Sequence, residues 1–284
     1  MNIKTTLAAN LFALIWAVFA SSAKGQELVQ VLRHDGAQVP IRVFNPTQQA
    51  CPPFALISPG AGGTENTMKY LAEALRKDGW LAMVIGHKES GPAVLRENVR
   101  ESGLREGLLE LTTDAGAYED RFADIGAALA WAGGRCKPRF VALLGHSMGA
   151  ATVMLEAGAK NKLGLSALDR FDAYVAMSPQ GPGSIFPTEA WRDIKKPMLM
   201  LTGTRDKELE GTWKSRTLPY ADMPGGCKWL GVIDGATHMN FADVGFARKT
   251  EALTIRITTS FLDSLRGGRC GTPPAERGML VESK

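Results

Sequence analysis

The chain has 284 residues, a formal net charge of +4, 45% hydrophobic residues and 22% charged residues. That length allows one large α/β domain or two small ones, and the composition is that of an ordinary globular protein. The small positive charge is dispersed and forms no basic run, so we predict that nucleic acid is not a partner.

The N-terminal segment, residues 1–23, is predicted to be a secretory signal peptide. Lys4 gives it a positive start, and the apolar run from Leu7 to Ala20 is about 14 residues long, which is typical of a signal core and short for a membrane span. Small residues follow at positions 21–23, so we expect cleavage before Lys24 and a periplasmic or secreted protein without an integral membrane span. An uncleaved N-terminal anchor is the alternative.

Four cysteines lie beyond that cleavage site, at positions 51, 136, 227 and 270. An even number of cysteines in an oxidising compartment predicts two disulfides. Four cysteines allow three pairings, and all three are open at this point.

Strands and helices alternate in the first half of the mature chain. A helix is predicted to run to about Lys77 with Thr64 as its candidate cap, and residues 86–112 are predicted to form a loop with one or two short helices. This loop either lines a substrate cleft over the sheet or is a solvated surface excursion. The predicted strands are Glu27–Leu32, Val39–Phe44, Phe54–Ile57 and Trp80–Ile85.

The same alternation continues to residue 265. It predicts an α/β fold with a mostly parallel central sheet, helices on both faces and no separate cap domain. We place this domain at residues 24–270, followed by a polar C-terminal tail at 271–284. The remaining predicted elements are a helix at Tyr118–Trp131, a strand at Phe140–Gly145 with a helix to about Ala159, strands at Asp172–Met177, Pro197–Leu201 and Lys228–Ile233, and a helix at Ala247–Leu265.

The segment Gly145-His146-Ser147-Met148-Gly149 joins a predicted strand to a predicted helix and fits the G-x-S-x-G nucleophile elbow. The turn is so tight that the residues two before and two after the serine must be small. The serine would stand exposed at the sheet edge, with the free N–H groups of the helix start behind it. An ordinary glycine-rich turn is the alternative interpretation.

Two further candidates follow predicted strands, Asp206 in Thr202-Gly-Thr-Arg-Asp206 and His238 in Asp234-Gly-Ala-Thr-His238. In open parallel sheets, sites are built at the carboxyl ends of strands. The chain order Ser147, Asp206, His238 is the order of α/β-hydrolase triads. On these three segments, residues 54–265 resemble an α/β-hydrolase, and most closely the secreted dienelactone-hydrolase-like and cutinase-like serine esterases.

The resemblance implies a role for each residue. Ser147 would be the nucleophile, His238 the base that takes its proton, and Asp206 the group that orients the imidazole. The backbone N–H of Met148 would donate to the oxyanion, and the resemblance places the second donor on Ala61.

Each candidate has competitors in the sequence. His87 also follows a strand and competes with His238, whereas Asp124 and Asp234 compete with Asp206. Asp234 is more typical of a turn residue. The order rule favours Asp206 and His238.

The sequence departs from the family patterns at the oxyanion loop, Ser58-Pro59-Gly60-Ala61. Cutinase-like enzymes carry an aromatic residue where this chain has Ala61, and no aromatic follows Met177 in residues 178–183. Serine also replaces the cysteine nucleophile of dienelactone hydrolase itself. The resemblance therefore does not carry over a polymer, an aromatic ester or a dienelactone as the substrate.

The resemblance also selects a cysteine pairing. In the hydrolase sheet, the strands that follow Cys51 and Cys136 are neighbours, and the closing helix returns Cys270 to the start of the strand after Cys227. It therefore implies the disulfides Cys51–Cys136 and Cys227–Cys270 at the bottom edge of the sheet.

The leading functional hypothesis is a secreted serine hydrolase that cleaves small carboxylic esters through an acyl-enzyme. A phospholipid or other lipid acyl hydrolase, or a peptidase, would use the same triad, and a non-catalytic binding protein is a third hypothesis. Neither the spacing of metal ligands nor a phosphate-binding loop is visible in the sequence, so we predict no cofactor and no metal.

Overall fold

The computed structural model describes residues 25–47, 50–209 and 211–284. The predicted signal peptide, residues 1–23, lies outside the described residues. Among the residues that are described, no helix combines the length and the apolar character needed to cross a membrane.

One sheet runs through the described chain in the strand order β1-β2-β4-β3-β5-β6-β7-β8-β9. The central strands β4, β3, β5, β6, β7 and β8 are parallel, and antiparallel strands close both edges. The strands are β1 Gln26–Leu32, β2 Gln38–Phe44, β3 Phe54–Ser58, β4 Leu81–Ile85, β5 Val141–His146, β6 Ala173–Met177, β7 Met198–Arg205, β8 Lys228–Thr237 and β9 Met279–Ser283.

Helices cover both faces of the sheet because the buried strands are apolar on both sides. Along β3, Leu56 belongs to the core shared with α4 and α5, and its neighbours Ala55 and Ile57 belong to the core shared with α1 and α7. The helices are α1 Lys69–Lys77, α2 Pro92–Ser102, α3 Leu104–Thr113, α4 Ala115–Gly133, α5 Met148–Glu156, α6 Leu218–Asp222 and α7 Arg248–Arg266. The prediction of a mostly parallel, doubly covered sheet is confirmed.

The first helix begins later than the sequence predicts. α1 starts at Lys69, after Met68 in a left-handed conformation with φ of 59°. Thr64 lies in the preceding turn, where its hydroxyl accepts a hydrogen bond from the Asn66 N–H at 3.1 Å. The threonine therefore stabilises a turn instead of capping the helix, because serine and threonine hydroxyls serve both structures.

Residues 86–112 are largely helical. α2 and α3 form an antiparallel helical hairpin, which we call the α2–α3 hairpin. A Cβ at Gly107 would lie 2.6 Å from the backbone of Asn98, so only glycine lets the two helices approach this closely. The hairpin lines a large cleft, which favours the first of the two interpretations of this segment.

The C-terminal residues are part of the domain. Residues 271–284 are predicted to form a polar tail. In the structure, however, β9, Met279–Ser283, pairs antiparallel with β8 and buries Met279. The strand is short and half exposed, so its composition did not distinguish it from a tail. The domain extends through Ser283 instead of ending at residue 270.

Two disulfides lie at the edge of the sheet where the parallel strands begin. The structure joins Cys51 to Cys136 with Cα atoms 5.6 Å apart, and Cys227 to Cys270 with Cα atoms 5.5 Å apart. The first bridge precedes the neighbouring strands β3 and β5, and the second ties the chain after α7 to the start of β8.

Candidate active site

Ser147 stands on a tight turn between β5 and α5. Its backbone has φ of 56° and ψ of −120°, an unfavourable conformation for a residue with a side chain. A Cβ at Gly145 would lie 2.2 Å from the Gly149 carbonyl oxygen, and a Cβ at Gly149 would lie 1.9 Å from the Ser58 carbonyl oxygen. Both glycines are therefore required by the close approach of backbone to backbone, as the elbow motif predicts.

The structure brings Ser147, His238 and Asp206 together in a line of hydrogen bonds. The Ser147 Oγ lies 2.9 Å from Nε2 of His238, and Nδ1 of His238 lies 2.9 Å from Oδ1 of Asp206. The three residues follow β5, β7 and β8, at the same edge of the sheet. A neutral imidazole with its proton on Nδ1 can donate to the carboxylate and accept the serine proton.

Asp206 is fully buried and is held by several donors. Its Oδ2 accepts hydrogen bonds from Ser178 Oγ at 2.6 Å and Thr202 Oγ1 at 3.0 Å, while Oδ1 faces His238. Burial alone would raise the pKa of this carboxyl, but the hydrogen bond from His238 and the positive charge of Arg216 hold the pKa below its ordinary value. Asp206 is therefore ionised at neutral pH.

Arg216 is a buried residue of the site that the sequence analysis missed. Its guanidinium lies 3.0 Å from Oδ1 of Asp206, and it donates to the Ser178 and Lys207 carbonyls, both at 2.9 Å. Nη2 also lies 3.2 Å from Nδ1 of His238, so the arginine and the imidazole converge on one carboxylate. Arg216 belongs to no recognisable motif, and only the fold reveals the carbonyls that surround it.

His146 holds the backbone of His238 in place. Its Nε2 donates to the His238 carbonyl at 3.0 Å, and the two ring centroids are 4.7 Å apart. Burial lowers the pKa of His146 to about 3, with a further contribution from the charge of His238, so the ring is neutral. The elbow residue before the serine therefore helps to position the His238 ring that faces the serine.

The competitors named in the sequence analysis lie elsewhere. Nδ1 of His87 is 2.8 Å from Oδ2 of Asp124, and both residues are buried below the site, so these two candidates pair with each other. Asp234 is exposed and lies within β8, not in the turn that its sequence indicated, and it accepts a hydrogen bond from Thr204 Oγ1 at 3.3 Å. The geometry favours Asp206 and His238 over all three.

The two proposed oxyanion donors flank the serine. Met148 is the first residue of α5, so its N–H is one of the helix-start groups without a partner inside the helix. Ala61 lines the same cleft as Ser147, and its neighbour Gly60 lies so close that a Cβ there would be 3.1 Å from Cβ of Ser147. A negative oxygen beside Ser147 would therefore face backbone of both segments.

A cleft of about 810 Å³ opens over Ser147 and His238. Most of its wall surface is apolar, although polar residues such as Lys207, Glu208 and Asp243 also line it, and α3 supplies three of its leucines. The larger apolar residues that line it are Leu95, Leu104, Leu108, Leu109, Ile185, Leu209, Met239 and Val244. Within the described part of the chain, no group of three or more His, Cys, Asp or Glu side chains is placed to hold a metal ion.

No protein-family model and no curated protein sequence matches this chain. Solved structures do match. A protein provisionally named a dienelactone hydrolase, from Klebsiella pneumoniae subsp. pneumoniae, has a TM-score of 0.59 and 16% identity, with 83% of this chain and 98% of that chain covered. The esterase Pf2001 of Pyrococcus furiosus has a TM-score of 0.56 and 16% identity, with 87% and 93% covered. Est1E from Butyrivibrio proteoclasticus has a TM-score of 0.58 and 15% identity, with 84% and 99% covered. These similarities establish the α/β-hydrolase fold.

Proposed function

We propose that this chain, which has the α/β-hydrolase fold, is a serine carboxylic-ester hydrolase that works through an acyl-enzyme. The observation that carries the proposal is the position of His238, within 2.9 Å of both Ser147 and Asp206. An alcohol, an imidazole and a buried carboxylate in this order are the groups that activate a serine for acyl transfer. Two of the structural neighbours are named as a dienelactone hydrolase and an esterase, and these names agree with this chemistry.

The proposed reaction has two halves. Ser147 Oγ attacks the ester carbonyl carbon while Nε2 of His238 takes the hydroxyl proton, and the N–H groups of Met148 and Ala61 bind the negative oxygen that forms. The intermediate collapses, and His238 gives its proton to the departing alcohol. A water molecule then attacks the acyl-enzyme with His238 again as the base, which releases the carboxylic acid and restores Ser147.

Rapid-mixing kinetics with p-nitrophenyl acetate or butyrate test this proposal. We expect a burst of p-nitrophenol of about one equivalent per enzyme if deacylation is slower than acylation, followed by steady turnover. Ser147→Ala should lose both the burst and the turnover. Hydrolysis at an unchanged rate in Ser147→Ala would refute the proposal.

The aliphatic cleft favours a second candidate, an acyl hydrolase for lipids or other esters with long apolar chains. The cleft exceeds what a short acyl ester needs and lies within the ordinary size range of ligand pockets, about 300–1,000 Å³. A rise of kcat/KM from acetate to decanoate esters would support this substrate class. A preference for acetate would support the small-ester class, and cleavage of peptide amides would support a peptidase.

We also propose that the protein acts outside the cytoplasm, in the periplasm or after secretion. The two disulfides and the predicted signal peptide support this location, because disulfides persist in oxidising compartments. Fractionation of expressing cells followed by sequencing of the mature N-terminus tests it, and an N-terminus near Lys24 is expected.

A further inference from the structure

A second chain of hydrogen-bonded polar residues lies buried under the oxyanion loop, Ser58–Ala61. Ser58 Oγ lies 2.9 Å from Nε2 of His87, Nδ1 of His87 lies 2.8 Å from Oδ2 of Asp124, and Oδ1 of Asp124 accepts from Arg33 at 3.2 Å. Ser58 is fully buried and His87 and Asp124 nearly so, and the serine is not on an elbow. The three residues therefore have the composition of a triad without access to a substrate.

Arg121, on α4, links this chain to the oxyanion loop. It is 1% exposed, and its Nη1 donates to Ser58 Oγ at 3.1 Å and to the Pro59 carbonyl at 2.8 Å. Nη2 is 3.4 Å from the Gly60 carbonyl, and Nε donates to Ser90 Oγ at 2.9 Å. The carbonyl of Ser90 in turn accepts from the Gly62 N–H at 2.9 Å. Arg121 thus binds the loop directly before Ala61, and it is linked through Ser90 to Gly62 after Ala61.

One direction of proton donation satisfies the donors and acceptors in this chain. Ser58 Oγ accepts from Arg121, so its own hydrogen is free to point at Nε2 of His87. The ring then carries its proton on Nδ1 and donates to Asp124, whose other oxygen binds Arg33. Burial and the neighbouring charge of Arg121 hold the pKa of His87 well below its usual range, in agreement with a neutral ring.

A buried guanidinium is costly unless its N–H groups find acceptors, and Arg121 finds them on Ser90 and on residues 58–60 of the oxyanion loop. The loop that Arg121 binds is packed against the elbow. A Cβ at Gly149 would lie 1.9 Å from the Ser58 carbonyl oxygen, and a Cβ at Gly60 would lie 3.1 Å from Cβ of Ser147. A small displacement of the loop would therefore move the Ala61 N–H relative to Ser147. Catalytic donors must lie within about 0.5 Å of the productive position.

We propose that Arg121, aligned by Ser58, His87, Asp124 and Arg33, is a positioning residue that sets the direction of the Ala61 N–H in the oxyanion hole. This inference rests on the proposed ester-hydrolase function. Arg121 does not touch the reacting atoms. It stabilises the transition state through the backbone of residues 58–62, and it contributes little to binding of the ground-state ester.

Arg121→Lys tests the inference, because lysine keeps the charge and loses the planar fork. We expect kcat for p-nitrophenyl butyrate to fall about 10- to 100-fold with KM within about twofold, part of the loss seen when an oxyanion donor is removed. The inhibition constant of a trifluoromethyl ketone, which forms a tetrahedral adduct with an oxyanion, should rise by a similar factor.

Arg170→Lys is the matched control. Arg170 is a second arginine that binds a backbone carbonyl, that of Phe122, the residue after Arg121, and it pairs with the buried carboxylate of Glu156, but none of its hydrogen bonds reaches the oxyanion loop. It should leave kcat and the ketone affinity within about twofold of wild type. An equal loss in both variants would overturn the inference, as would wild-type kcat in Arg121→Lys.

If Arg121→Lys does not fold, Ser58→Ala tests the inference in its place. Ser58→Ala removes the link between Arg121 and His87 with little change of volume. A several-fold fall in kcat at constant KM supports the inference, and an unchanged kcat overturns it. Failure of the proposed function is distinguishable, because the wild-type protein itself would then show no hydrolysis that depends on Ser147.

Discussion

At the scale of single residues, four side chains hold Asp206 in an ionised state. His238, Ser178 and Thr202 donate to its carboxylate, and the Arg216 guanidinium pairs with it in the interior. An ionised acceptor in this position keeps the imidazole proton on Nδ1 and leaves Nε2 free to accept from Ser147. In the proposed mechanism, the carboxylate fixes the orientation and the tautomer of the His238 imidazole.

Asp206→Asn is therefore expected to lower kcat about 10³- to 10⁴-fold, because an amide can hold the imidazole in the wrong tautomer. It also leaves Arg216 without its buried counter-charge, so the midpoint of urea unfolding should fall as well. Asp234→Asn is the matched control, because Asp234 is exposed and lies four residues before His238. Steady-state kinetics in which both variants lose activity equally would argue against Asp206 as the orienting carboxylate.

The sequence predicts the three triad candidates because each follows a strand in a recognisable local segment. It did not predict Arg216, Arg121 or the role of His146. Arg121 binds carbonyls 61 and 62 residues earlier in the chain, Arg216 binds carbonyls up to 38 residues earlier, and His146 binds the carbonyl of a residue 92 positions later. Such contacts do not require a fixed spacing between residues in the sequence, so only the assembled fold reveals them.

At the scale of elements, the α2–α3 hairpin is the part of the fold that bears on specificity. It forms one wall of the cleft and supplies Leu95, Leu104, Leu108 and Leu109. Leu104 is 68% exposed although it lines the cleft, so a bound apolar chain could remove much of its surface from water.

Leu104→Ala tests this contribution. Loss of about 1 kcal/mol of apolar contact should lower kcat/KM for p-nitrophenyl decanoate about fivefold, mainly through KM, with the acetate ester unaffected. Leu32→Ala is the control of equal exposure, 66%, on the edge strand β1. Equal effects of Leu104→Ala on the acetate and decanoate esters would exclude the hairpin as the wall that contacts the chain.

The elbow could be predicted at the level of elements because its steric requirement fixes two glycines at set distances from Ser147. The start of α1 and the strand β9 could not. Thr64 is compatible with a cap or a turn, and β9 depends on pairing with β8, which lies more than forty residues earlier in the chain. The division of 86–112 into two helices likewise depends on packing, since its charges and leucines suit a surface loop equally well.

At the scale of the whole molecule, the candidate site and the disulfides that stabilise the fold lie at opposite ends of the parallel strands. The candidate site lies where β5, β7 and β8 end, and both disulfides lie at the opposite edge. Cys227–Cys270 closes a loop of 43 residues around β8 and α7, and it ties down the segment that leads to β9.

Replacement of both Cys227 and Cys270 by alanine should lower the free energy of unfolding by about 2–4 kcal/mol, chiefly through the greater freedom of the unfolded chain. The kcat of the folded variant should stay within about twofold of wild type. Urea unfolding and steady-state kinetics measure the two quantities. An unchanged unfolding midpoint, or free thiols in the oxidised wild-type protein, would contradict this assignment.

The proposal at the centre of this mechanism is that His238 activates Ser147 although 91 positions separate the two residues in the chain. Its most direct test is the rate at which a fluorophosphonate labels the protein, followed by peptide mass spectrometry, in wild type, His238→Ala and the control His34→Ala, which changes an exposed turn histidine. The account predicts labelling of Ser147 at equal rates in wild type and His34→Ala, and a rate at least about a hundredfold lower in His238→Ala. Labelling of another residue, or of Ser147 at the wild-type rate in His238→Ala, would contradict it.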